Sequence, residues 1–512
     1  VGVWAVPIMP ASEDQCVRCA FNNTAMPASL HCACRLAELQ AAMAPAAVAL
    51  ECEGVGTPSA SLHLHARRFA AQLLIAVGSL GNMMVALLSP RGIELTAGML
   101  GIWTAACAFV PIDPTYPQQR IECMLDDIEP PVVAVCRSAR TRLPRAKPYL
   151  SLFLDALPLS SPAVEAAPRR GAALHDLALV SFASGSTGCP KGSLLEHRGL
   201  VNQLIALNRS AALGIGDVVF QFASLSFGTS VMDYFMALCH GATLHLWQHG
   251  TWYDALLAAS GVTCLEITPS ALAQVNPADL ATLRCVVPAG EPLLLQDGQR
   301  WASRDVRTLN AYGPSECCIH TTISVIKAID AIVTIGAPMD NTQVHIMDER
   351  LQPSPIGLSG ELHVGGVGVA RGYLKRPDLT AKMFINPFGS GVLYKSGDLA
   401  TWTENGSIIH MGRIDFQVKL RGQRVELSEI EHAALDEGSV RLAAAIVHEP
   451  SAGEQWLVLY VSPATVDDEE LRSYLRNRMP PYMVPHKIVK LEHMVSQIIS
   501  DQGCNGFGFD VV

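Results

Sequence analysis

Charge is scarce in this chain. Only 16% of its 512 residues are Asp, Glu, Lys or Arg, and 37 Lys and Arg are outnumbered by 47 Asp and Glu. A formal net charge of -10 and the lack of a Lys/Arg cluster exclude a phosphate-tracking surface, so nucleic acid is not an expected partner. Long uninterrupted apolar runs are also missing. The most apolar window, 70–88, is broken by Gln72, Gly78, Ser79, Gly81 and Asn82 and predicts a helix, a turn and a buried strand rather than a membrane span. There is no secretory leader pattern, internal repeat or low-complexity tract. The fifteen cysteines are dispersed along a long chain instead of crowded into a small one, which fits a reduced, cytoplasmic compartment better than a disulfide scaffold.

Apolar side chains, by contrast, are abundant. At 49% hydrophobic and this length, the chain is expected to bury more than one core. Val132–Val135, Leu177–Val180 and Val218–Phe220 read as strands, and Arg198–Leu207 and Val231–Leu238 as helices. That alternation predicts an α/β fold, with a large N-terminal body of mainly parallel sheets packed with helices. Near residue 413 the character changes. Phe416–Gly422 alternates apolar and polar residues, and a helix is expected from Ser428 to about Glu437, so a small C-terminal α+β subdomain follows. The expected organisation is 1–30 as linker or remnant of a preceding domain, 31–413 as core, 414–493 as small subdomain and 494–512 as an atypical tail.

The segment Ser184-Gly185-Ser186-Thr187-Gly188-Cys189-Pro190-Lys191-Gly192 follows a predicted strand. Small residues let backbone N–H groups converge on phosphate oxygens, hydroxyls add donors, and Lys191 supplies charge. Pro190 separates it from the P-loop pattern. With its continuation Leu194-Leu195-Glu196-His197-Arg198-Gly199-Leu200, it resembles the phosphate loop of the adenylate-forming, AMP-binding superfamily, and in particular the adenylation domains of nonribosomal peptide synthetases. The family usually opens this loop with Thr where Ala183 stands. The resemblance covers 31–493 and includes Ala105–Pro117, Asn310–Glu316, Gly360–Leu374, Tyr394–Leu399, Gly412–Glu426 and Pro480–Pro485. The family's early Leu-Thr-Tyr-x-Glu-Leu segment is not recognisable around 55–65, which leaves the local fold open there.

The resemblance implies ATP and Mg²⁺ as cofactors. It places Ser184, Gly185, Ser186, Thr187, Gly188 and Lys191 at the phosphates, with Lys191, Thr187 and Glu316 catalytic and Glu316 holding Mg²⁺. Tyr312 would stack on adenine, Asn310 bond its amino edge, and Gly313 and Ser315 lie by the α-phosphate. Asp398 would accept from the ribose hydroxyls, Arg413 contact the nucleotide, and Asp415 serve as the hinge of the lid. The implied reaction forms an acyl-AMP from a small carboxylic or amino acid. A phosphopantetheine thiol on a peptidyl carrier protein then takes the acyl group, with a condensation domain in a neighbouring module. No carrier Ser or condensation His motif occurs within these residues. A free-standing acyl- or aryl-CoA ligase and a degenerate nucleotide-binding module are the alternatives.

Two departures qualify the expected chemistry. Asn505-Gly506 is followed by Phe507, where the family delivers a lid Lys. A Phe cannot contact the reacting oxygens as an ammonium does, so slow adenylate formation is expected unless Lys487 or Lys490 substitutes. The acyl pocket implied by the resemblance comprises Gly228, Thr229, Met232, Glu266, Val287, Ala289, Ala311, Ile319 and His320. Gly228 replaces the Asp that pairs with an α-ammonium, a contact worth roughly 1.5–3 kcal/mol. Either the substrate has no conventionally placed α-amine, or Glu266 anchors one from another wall.

Overall fold

The structure is a computed structural model that describes residues 9–78, 82–145, 147–156, 171–185, 190–225, 227–389, 391–415, 417–451 and 454–492. Short apolar runs form the expected buried strands. Six strands make one sheet in the order Ser151–Phe153, Val133–Val135, Met84–Leu88, Ala108–Ile112, Leu177–Ala183, Lys191–Glu196. All its pairs are parallel except the last, where Ala183 stands opposite Lys191. The predicted phosphate loop therefore connects two antiparallel neighbours, and Lys191 is the first residue of the second strand.

A nine-stranded sheet packs beside it. Six consecutive neighbours are parallel: Val48–Cys52, Thr243–Leu246, Val218–Phe220, Cys264–Ile267, Cys285–Pro288 and Arg307–Tyr312. Antiparallel strands close its edges. Helix Ile93–Thr104 is buried from Leu95 to Trp103, as a helix apolar on all sides must be, and Trp103 Nε1 donates to Ala178 O at 2.7 Å. The segment lacking the family's early motif still builds strand Val55–Pro58 and helix Ser59–Val77.

The body also carries a third, wholly antiparallel sheet of Thr342–Met347, Gly360–Gly366, Phe384–Ile385, Leu393–Trp402 and Ile408–Arg413. Sequence alternation there is blunted because many positions are buried on both faces. The described part of 1–30, expected as a linker, lies against this sheet. Val17 is buried, Phe21 packs on Trp402 at 5.0 Å, and Asn22 Nδ2 donates to Val344 O.

Beyond Asp415 the ribbon Gln417–Leu420/Gln423–Glu426 leads into helix Leu427–Leu435. A three-stranded sheet of Leu442–Ser451, Glu454–Ser462 and Lys487–Lys490 and helix Asp468–Arg478 complete the subdomain. Its core is its own, built on Val425, Ile430, Leu457, Leu459, Leu471 and Leu475. No helix among the described residues is long and apolar enough to cross a membrane.

Candidate active site

The strand pair Leu177–Ala183/Lys191–Glu196 brings Lys191 to the C-terminal end of Arg307–Tyr312, where the short helix Ser315–Cys317 carries Glu316. Glu316 is fully buried, and it is ringed by donors. Tyr373 Oη donates to Oε1 at 2.7 Å, Arg424 Nη1 reaches both oxygens at 3.0 Å, and Lys191 Nζ stands 3.8 Å away. Burial alone would raise this carboxyl; the Arg424 and Lys191 charges, with the Tyr373 hydroxyl, hold it down at about 2. Burial and the Arg424 charge depress the Lys191 ammonium, against the pull of Glu316 and Glu426. Glu316 thus stays an anion that is already engaged by Arg424, Tyr373 and Lys191, beside a cationic loop end that suits phosphate oxygens.

The other flank centres on Asp398. Its carboxylate accepts from Tyr312 Oη at 2.6 Å, His410 Nε2 at 3.1 Å and Arg413 Nη1 at 3.1 Å. Burial is overcome by the His410 hydrogen bond and the Arg413 and Lys419 charges, so the group lies well below the carboxylate range. Arg413 also forks onto Asp415 at 2.6 and 2.8 Å, joining the expected hinge to the expected ribose site. Asn310 Nδ2 donates to Thr334 O at 2.8 Å. The backbone at Ile319–His320 crosses directly over Gly313, where any Cβ would fall inside van der Waals contact, so the middle of Tyr312-Gly313-Pro314 must be glycine. Ser315 is half-buried beside it.

Thr187, with Ser186, Gly188 and Cys189, lies outside the described residues, as do Phe416 and the tail containing Phe507. Ser184 and Gly185 are buried, and both engage the small subdomain: Ser184 Oγ donates to Arg424 O at 2.9 Å and Gly185 N to Glu429 Oε2 at 3.1 Å. Glu429 Oε1 in turn pairs with buried Arg120 at 2.9 Å. Lys490 is paired with Asp468 on the subdomain surface, and Lys487 is exposed.

A cavity of about 320 Å³ lies between the body and the turn of the ribbon. Thr229, Glu266 and Ala289 line it, together with Arg91, Phe222, Trp247, Trp252 and, from the small subdomain, Arg421–Gln423. Ala311, which is bridged to Ala289, and Ile319, Met232 and Val287 all belong to one buried core, and neither they nor Gly228 and His320 are among the lining residues. Glu266 Oε1 lies 3.1 Å from His320 Nε2, both buried, in a contact that lacks hydrogen-bond geometry. A Cβ on Gly228 would meet Ile319 Cγ1 at 2.9 Å, and Ile319 itself holds a left-handed φ of 83°, a strained conformation for a β-branched residue.

Sequence reasoning did not single out Arg424, Glu426, Glu429, Arg120, Tyr373 or His410. It also missed Asp233, which is buried and accepts from Phe222 N, Ala223 N and Gln221 Nε2. Burial and nearby Glu266 lift its carboxyl well above the usual range, and it pins the loop that forms one cavity wall. A signal for Arg424 existed: the ribbon places Lys419 directly opposite Arg424, a like-charge pair that needs outside carboxylates. His197 is packed edge-on against Trp103 at 5.0 Å, and burial lowers its imidazole to about 3; it is structural. Cys317 and Cys318 are likewise wall packing.

Residues 37–374 match the model of the AMP-binding enzyme family, and 429–496 that of the AMP-binding enzyme C-terminal domain. This chain belongs to the AMP-binding enzyme family. It is 36% identical to tyrocidine synthase 1 of Brevibacillus parabrevis, over 90% of this chain and 43% of that protein. It is 34% identical to gramicidin S synthase 1 of Brevibacillus brevis, again over 90% of this chain and 43% of that protein. The chain spans less than half the length of these curated relatives. Among solved structures, the artificially fused adenylation–PCP di-domain NpsA-ThdA from Klebsiella oxytoca superposes with a TM-score of 0.80 at 25% identity, over 90% of this chain and 94% of that one. As an AMP-binding enzyme, the chain joins a sheet-rich α/β body to a small C-terminal domain.

Proposed function

We propose that this AMP-binding enzyme activates a carboxylic or amino acid with ATP and Mg²⁺ as acyl-AMP. The acyl group then passes to the phosphopantetheine thiol of a peptidyl carrier protein, with a condensation domain in a neighbouring module, in the cytoplasm. The observation that carries this reading is that one ribbon serves the whole site. Glu316 and Lys191 mark a phosphate position and Asp398 and Tyr312 a nucleoside position, and the ribbon that brings Arg424 to Glu316 also lends Arg421–Gln423 to the wall of the 320 Å³ cavity.

The chemistry asks little covalent work of the protein. A substrate carboxylate oxygen bonds to the α-phosphorus as the bond to pyrophosphate breaks, and the electron pair leaves on pyrophosphate. Lys191 offsets charge that grows on the phosphate oxygens, and Asp398 holds the ribose end so that nucleophile and leaving group stay in line. A divalent cation at Glu316 would supply further charge neutralisation when bound. The Arg413–Asp415 fork sits where the chain must turn for the small subdomain to reorient.

For the acyl group, the geometry favours a substrate without an α-ammonium, such as a hydroxy or aryl acid. Ile319 occupies the space a side chain at 228 would need, while Glu266, the carboxylate on the cavity wall, stands 3.1 Å from His320 Nε2 with that oxygen not hydrogen-bonded. An ammonium placed against the Gly228 wall would be left without a partner, at a cost of about 1–3 kcal/mol, and only Glu266 on the other wall could meet one. ATP–pyrophosphate exchange over a panel of acids tests both levels. Exchange with any acid supports adenylation, and a clear preference for a plain α-amino acid overturns the acyl reading alone. ATP binding with no exchange for any acid would favour the degenerate module.

A further inference from the structure

The ribbon Gln417–Leu420/Gln423–Glu426 is a bridge between the two bodies of the molecule. Its apolar face, Leu420 and Val425, is buried in the small subdomain's core. Its other face places Lys419 directly opposite Arg424. Two cations in that relation repel, and the body compensates each with a carboxylate. Arg424 forks onto Glu316, and Lys419 lies among the charges that depress Asp398, with its Nζ 5.6 Å from the Tyr312 ring. At the ribbon's turn Gly422, at a φ of 76°, is pressed against Thr268, where no Cβ would fit. Ser184 and Gly185 tie down the far end through Arg424 O and Glu429. The docking is specific along its whole length.

The consequence falls on Glu316. Its two oxygens are engaged by Arg424 on both, by Tyr373 on Oε1 and by Lys191 at 3.8 Å. A guanidinium already engages both carboxylate oxygens, and a dication added beside Arg424 and Lys191 would meet repulsion instead of a free carboxylate. We propose that Arg424 and the divalent cation exchange on Glu316. The guanidinium holds the carboxylate while the small subdomain is docked, and metal engages it only after the ribbon withdraws. Arg424 is thus a positioning residue that couples subdomain docking to metal occupancy. The inference rests on Glu316 being the metal ligand of the proposed function.

The full chain, saturated with the β,γ-imido analogue of ATP, is titrated with Mn²⁺ while free metal is followed by EPR. Amide exchange of 417–429 is followed in parallel as Mg²⁺ is added. Arg424→Gln is expected to tighten Mn²⁺ at least tenfold, Arg424→Lys to stay within about threefold of wild type, and Glu316→Gln to weaken Mn²⁺ at least tenfold. In the wild type, Mg²⁺ should speed exchange of 417–429. A merely structural Arg424 would leave metal affinity unchanged or weaker when replaced by Gln, and that result overturns the exchange while Glu316→Gln still upholds the metal site. Unchanged affinity in Glu316→Gln overturns the ligand assignment and the exchange with it. Should Arg424→Gln fail to fold, the wild-type measurement decides: 417–429 staying equally protected as metal binds overturns the proposal.

Discussion

The nucleotide half and the acyl half of the site share the ends of the nine-stranded sheet yet treat charge in opposite ways. Around Glu316 and Asp398 each carboxylate is buried, ionised and surrounded by several donors. Around Gly228 and Ile319 the wall is apolar, and the charges that line the cavity elsewhere, Glu266, Arg91 and Arg421, stand singly instead of in a ringed cluster. A surplus of fixed cations and anions prepares the first half for a highly charged ligand. In the second half selectivity rests on shape along the Gly228 wall and on a few isolated charges opposite it.

Breaking the charged half should have the largest effect. Lys191→Met removes the ammonium beside Glu316, and the rate of pyrophosphate exchange is expected to fall about 100- to 1000-fold, the range seen when one charge-stabilising group is lost; a loss below tenfold would remove Lys191 from the reaction. Next comes acid. The folded Glu316 carboxyl, at about 2, lies below its ordinary 4.5, so the stability it lends is complete above the higher value and is lost as pH falls toward the lower one. Urea midpoints of the wild type should decline through that window more steeply than those of Glu316→Gln, and parallel declines would show that the carboxylate is not held down in the fold.

The apolar half is probed by Gly228→Asp, whose Cβ meets Ile319. Overpacking should cost about 1–3 kcal/mol in chemical denaturation. Adding Ile319→Ala should recover most of that loss and raise exchange with α-amino acids relative to hydroxy acids. A stable single variant would mean that Ile319 yields easily and does not guard the wall. The smallest effect is expected from Asp398→Asn, with a roughly tenfold rise in KM for ATP from a weakened ribose acceptor and little change in kcat. An equal loss in both would shift Asp398 from binding to the chemical step.

Legibility in the sequence divides along the same line. Lys191, Glu316, Asp398 and Arg413 stand in segments whose resemblance to the adenylate-forming family implied one nucleotide site, because phosphate and ribose constrain residue type locally. The parallel sheets were legible for a similar reason: a strand buried on both faces is a continuous apolar run, as in Leu177–Ala183. The partners that complete the site were not. Arg424, Glu429 and Arg120 reach it across hundreds of residues, and a contact made by docking one body on another leaves no local pattern. The antiparallel sheet of 342–413 was hidden because strands such as Gly360–Gly366 are buried on both faces, and the docking of Phe21 on Trp402 because a short aromatic-bearing segment between prolines reads as linker.

Arg421, Gly422 and Gln423 form part of the acyl cavity's wall, yet they belong to the opposite body. The chamber is therefore not a property of either body; it exists only while they are together. A compound shaped to its 320 Å³ would touch both at once and act as an adhesive. By mass action it would favour the docked arrangement and fuse two separately built cores into one melting unit. Tightness of such a ligand would report on how the two halves of the chain are assembled as much as on the acid it imitates.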